Sequence, residues 1–161
     1  MPEIIPLGWF HTAMGAIAII SGAISLFKYR ELTYRNTTGL VYLLATLVTA
    51  ATALAIFQHG SFGPGHALAV LTLAALLTGA VADMTGLFGK AGRYVRAFAY
   101  SSTLLFHSIP AITDASLRLP VGDPFLSSIE DPFLRKAYLV LVVLFLVGVT
   151  LQLRWIRRQS R

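Results

Sequence analysis

Four histidines, two acids inside otherwise apolar segments and a complete lack of cysteine bound the chemistry open to this chain. Without cysteine there is no disulfide, no thiolate nucleophile and no sulfur-ligated metal or iron–sulfur centre, so imidazoles, carboxylates, hydroxyls and aromatic rings must carry any chemistry. The most informative stretch is LLFHSIPAITDASLRLP at 104–120, where a run as apolar as any in the chain admits His107, Asp114 and Arg118. Tyr100, Thr103, His107, Ala111, Asp114 and Arg118 follow one another at intervals of three or four, which puts them on one face of a helix. An ionisable group in hydrocarbon costs several kcal/mol unless it faces a bundle interior or a watery cavity, so this face must turn inward. Asp114 and Arg118 are spaced for an ion pair. Pro110 removes a hydrogen bond to Phe106 and should bend the helix above His107.

Two further histidines join this face. His11 heads a stripe of His11, Gly15, Ala18, Gly22 and Ser25, small residues that let a neighbouring helix approach closely. His66, in FGPGH, opens a later apolar run on the same side of the membrane, while His59 lies in a glycine- and serine-flanked turn and is left out of the site. The expected site is thus His11, His66 and His107, surrounded by Tyr100, Thr103, Asp114 and Arg118. Neutral imidazoles on facing helices suit haem b, a copper ion or a quinone headgroup, and for a metal the ligands would be His11, His66 and His107. A Ser-His-Asp hydrolase is excluded, because Asp114 lies two turns from His107, ~10 Å along the same helix. The glycines of FGPGH and GLFGKAGR lack the strand–loop–helix setting of a phosphate cradle, so no hydrolase or transferase motif is present and a redox role is the enzymatic possibility.

The elements that must position these residues follow from composition. Hydrophobic residues make up 56% of the 161, charged residues 12%, and the mean hydropathy is +0.71, values typical of a membrane protein. Apolar runs at 7–27, 38–57, 66–88, 97–117 and 137–155 are each close to the ~20 residues that cross a bilayer as a helix. They predict an all-α bundle of five transmembrane helices forming a single domain over 1–161, with an outer loop at 118–136. The first run lacks a basic leader and a cleavage pattern, so it reads as retained. The repeated DPFL at 123–126 and 131–134 predicts two Asp-Pro turns in the outer loop, with Phe125 and Phe133 in lipid or capping the bundle.

Ten of the thirteen basic residues fall between helices one and two, between three and four, or after five. That bias predicts an outside N-terminus and a cytoplasmic C-terminus. The net charge of +6 then reflects topology and contact with anionic lipid, with no surface for nucleic acid. Depth follows from the same count: His107 is about ten residues, ~15 Å, from the outer end of its helix. Asp83 is expected to reach the cytoplasmic interface or pair with Lys90 or Arg93, with an inward role as the alternative, and Glu31 is expected to be a solvated charge.

The succession HTAMGAIAIISGAISLF, RNTTGLVYLLATLVTAATAL and FGPGHALAVLTLAALLTG, covering about residues 11–80, resembles a family of small bacterial polytopic membrane proteins of unknown function. The fitting positions are His11, Gly15, Gly22, Gly39, Tyr42 and His66. Many members would carry H-R-x-x-G before the second helix, whereas this chain has RNTTG with Arg35 at the histidine position. The resemblance implies a multi-pass bundle in a bacterial inner membrane and no particular reaction.

Three function classes remain open. One is a cofactor- or metal-binding redox protein built on the histidines. Another is a small transporter or proton conductor using His107, Asp114 and Asp83, which with five helices and no inverted repeat would need to oligomerise. The third is an accessory subunit whose polar stripe docks a partner helix.

Overall fold

The computed structural model describes residues 6–56 and 61–159. They form five α-helices: α1 Pro6–Tyr29, α2 Thr37–Leu54, α3 Pro64–Met84, α4 Gly92–Arg118 and α5 Pro132–Arg158, with a single 3-10 turn at Gly89–Ala91 before α4. No strand occurs among the described residues. Four helices, α1, α2, α3 and α5, are long and apolar enough to cross a membrane. α4 does not reach that apolarity, and its place in the fold gives the reason. It packs on α1, α3 and α5 and buries Tyr100, Ser101, Ser102, Thr103, His107 and Ser116, so its polar side chains meet protein.

The helices run alternately up and down. The start of α1 meets the end of α2 through His11 and Thr52, the end of α3 meets the start of α4 through Asp83 and Arg96, and the start of α5 meets the end of α4 through Tyr138 and Thr113. One end of the bundle therefore carries His11, His66, Asp114 and the α4–α5 connection, and the other carries the α1–α2 and α3–α4 connections and the C-terminal arginines. We refer to these as the histidine end and the basic end.

Local chemistry sets the helix starts. Asn36 caps α2 by accepting the Gly39 N–H at 2.8 Å. Asp131 caps α5 by accepting the Phe133 N–H at 2.8 Å, and Pro132 occupies the first helical position, where its missing N–H leaves nothing unsatisfied. The second DPFL is thus a helix start, which corrects the expected 118–136 loop to 119–131. Arg135 and Lys136 hid that first turn from an apolar-run reading. The first DPFL folds back on α4: the Phe125 N–H reaches the Leu119 carbonyl at 2.9 Å, the Leu126 N–H reaches the Ser116 carbonyl at 2.8 Å, and Leu126 is buried. Phe125 and Phe133 meet edge to face at 5.2 Å, so the two repeats pack on each other.

Close approach at glycine fixes the helix spacing. A Cβ on Gly22 would fall 2.7 Å from the Tyr42 ring, and one on Gly79 would run into the Tyr100 ring. Tyr42 and Tyr100 are consequently buried at the centre, in one cluster with Ala18, Leu32 and Ala45.

Candidate functional site

The polar face of α4 points into the bundle from Tyr100 to His107, while Ala111 is exposed and Asp114 half exposed beyond it, and three separate groups of side chains meet this face. The first lies towards the histidine end. His11 on α1 places Nδ1 3.1 Å from the Thr52 hydroxyl. That hydroxyl spends its own proton on the Val48 or Thr49 carbonyl, at 2.9 and 3.0 Å, so it accepts from His11 Nδ1–H. In its neutral form His11 then carries its lone pair on Nε2. His107 on α4 lies within electrostatic reach of His11, and so does Asp114. His107 is only 7% exposed, and its Nε2 is buried with no hydrogen-bond partner. Buried polar atoms are nearly always satisfied, so an orphaned imidazole nitrogen, like the orphaned Thr46 hydroxyl, Asp83 Oδ2 and Arg96 Nε, calls for an explanation, and receiving a ligand or proton is one. Arg118 Nε donates to Asp114 at 2.6 Å, the expected intrahelical pair, with both side chains partly exposed.

The second group sits at mid-depth and absorbs two residues expected to line the cavity. The Thr103 hydroxyl donates to the Tyr100 carbonyl at 2.7 Å and accepts from the Tyr42 hydroxyl, which also lies 3.2 Å from that carbonyl. Thr103 is fully buried in this knot. The Tyr100 carbonyl and the Thr103 hydroxyl therefore join α4 to α2.

His66 is likewise committed elsewhere. Its Nδ1 accepts the Gly63 N–H at 3.2 Å, closing the first turn of α3, and its ring stacks on Phe62 at 5.2 Å. Among the described residues no three His, Asp or Glu side chains are grouped to hold a metal ion. The expected metal triad of His11, His66 and His107 is corrected accordingly: His66 is a cap, and the remaining pair comes from α1 and α4. His59 lies outside the described residues.

The third group, at the basic end, departs most from the sequence reading. Asp83 pairs with Arg96 at 2.8 Å and with Arg35 at 3.1 Å, in place of Lys90 or Arg93. Glu31 is no solvated charge, since it pairs with Arg96 Nη2 at 2.6 Å. The Asp83 side chain is 1% exposed and that of Arg96 13%, whereas that of Arg35 is 61% exposed. Arg96 stands four residues before Tyr100, so it belongs to the same α4 face. The signal was present in the spacing, but a helix start placed at residue 97 turned Arg96 into a loop cation. α4 in fact begins at Gly92, after the 3-10 turn.

Set against family models, curated proteins and solved structures, the chain matches none of them. The functional reading accordingly rests on this geometry.

Proposed function

We propose that the chain is a multi-pass protein of a bacterial inner membrane, with α4 as a fifth spanning helix, the N-terminus outside and the basic end in the cytoplasm. Its functional element is a two-histidine site, His11 and His107, in the outer half of the bilayer. The ligand is a neutral, hydrogen-bonding headgroup of the quinone class. The observation that carries this reading is the buried, unpartnered Nε2 of His107 within electrostatic reach of a second imidazole. A quinone carbonyl needs a hydrogen-bond donor, and its reduced hydroxyl needs an acceptor. A pair of neutral imidazoles offers both. Copper is less well served by two imidazoles without a third ligand grouped with them among the described residues. A haem macrocycle would have to part α1 and α4, which pack directly on each other.

The test is binding of a short-chain quinone to the purified protein, followed by equilibrium titration. His107→Ala should weaken it about tenfold, the loss of one hydrogen bond. An affinity equal to that of the unsubstituted protein would refute the assignment.

The alternative of proton conduction is favoured by one specific feature: the polar face of α4 continues from Arg96 through Tyr100, Thr103 and His107 to Asp114, nearly the length of the helix. Proton uptake into proteoliposomes carrying an internal pH dye, abolished by His107→Ala, would support it.

A further inference from the structure

The connection between α1 and α2, residues 30–36, turns Leu32 and Thr33 into the bundle while Arg30, Tyr34 and Arg35 stay exposed, whereas a loop of charged and polar residues ordinarily lies over the surface throughout. Arg30 adopts a left-handed backbone, φ 61°, which turns the chain back into the bundle, and its carbonyl accepts from Gln152 Nε2 of α5 at 3.0 Å. The Glu31 carbonyl accepts from the fully buried Ser25 of α1 at 2.9 Å, while the Glu31 carboxylate holds Arg96 of α4. Leu32 is 1% exposed and belongs to the same cluster as Tyr42 and Tyr100, so it packs beside α4 at the level of Tyr100, one turn from Arg96. Thr33 is buried too, and its backbone rests on Gly39 so closely that a Cβ there would collide with the Thr33 carbonyl.

We infer that this connection is a gate: a plug, with Leu32 as its stopper, that closes the basic end of the polar face of α4 and is latched by the Glu31–Arg96–Asp83 ion pairs. The latch is incompletely satisfied. Asp83 Oδ2 and Arg96 Nε are both buried without a hydrogen-bond partner. Buried charges that lack part of their compensation hold a closed state weakly, because desolvation offsets much of the attraction. Arg35, the fourth member, stands largely in solvent and contributes little to the closure. Release of the plug would open the polar face from the basic end as far as the Tyr42–Thr103 knot, whatever the histidine site binds.

The absence of native cysteine lets a single introduced thiol report the gate. Thr33→Cys in the full-length protein should react slowly with a polar maleimide. Adding Glu31→Gln should speed that reaction about tenfold or more, the consequence of losing a charge-assisted hydrogen bond. Gly39→Ala, which displaces the plug sterically and leaves every charge in place, should do the same. Ala50→Cys, buried in α2 outside the Leu32 cluster, should stay protected in both backgrounds. An unchanged Thr33→Cys rate in both variants would overturn the gate. So would equal acceleration at Ala50→Cys, which would mean that the ion pairs hold the whole fold together.

Discussion

His66 and His107 are equally buried, yet the structure employs them differently. His66 closes a helix end, so His66→Ala should lower stability by about 1 kcal/mol, the usual cost of a lost cap, read as a fall in melting temperature in detergent. His107 keeps a buried nitrogen without a partner. A group of that kind costs about 1–3 kcal/mol, so His107→Leu should raise the melting temperature while removing function. These opposite signs separate a structural imidazole from a functional one. Spacing alone puts His107 on the buried face of α4, because a helical stripe is visible in one dimension, whereas Asp114 and Arg118 of the same stripe pair with each other partly exposed. Spacing could not tell that His66 Nδ1 would take its own Gly63 N–H, or that Tyr100 and Thr103 would be engaged by Tyr42, 58 and 61 residues away.

At the scale of the helix, the glycine contacts differ in kind. Gly22 and Gly79 lie against the rings of Tyr42 and Tyr100, whereas a Cβ on Gly15 would meet Thr49 at an ordinary 3.6 Å. Gly22→Ala and Gly79→Ala should therefore destabilise the protein by about 1–3 kcal/mol through overpacking. Gly15→Ala should be neutral, or stabilising by up to ~1 kcal/mol from its helix propensity. Thermal melts of the three variants check this ordering. Apolar runs located α1, α2, α3 and α5 within a few residues, since hydrocarbon length and helix rise leave little freedom. They set α4 and α5 to begin five residues late at 97 and 137, because the first turns of both helices, GRYVR and PFLRK, carry cations that break an apolar run without breaking a helix. That single shift concealed Arg96, and with it the ion network at the basic end. The pairing of Glu31, Asp83 and Arg96 depends on three elements meeting and has no signature in local spacing.

For the molecule as a whole, four apolar helices surround or flank one polar one. α4 can be the least apolar helix because its neighbours shield it from lipid. The polarity is graded along its length, from a charged latch at one end through a hydroxyl knot to an imidazole pair and a surface ion pair at the other. A topology reporter after Arg161 should be active only in its cytoplasmic form, and one near Gly122 only in its external form, if the basic residues set the orientation. The reverse pattern would put the histidine pair on the cytoplasmic side. The central claim is that the orphaned imidazole of α4 exists to bind, and ligand-dependent melting of His107→Leu beside the unsubstituted protein addresses it most directly. Without ligand the variant should melt at the higher temperature, and on addition of a short-chain quinone only the unsubstituted protein should gain stability. An equal gain in both would contradict the two-histidine site.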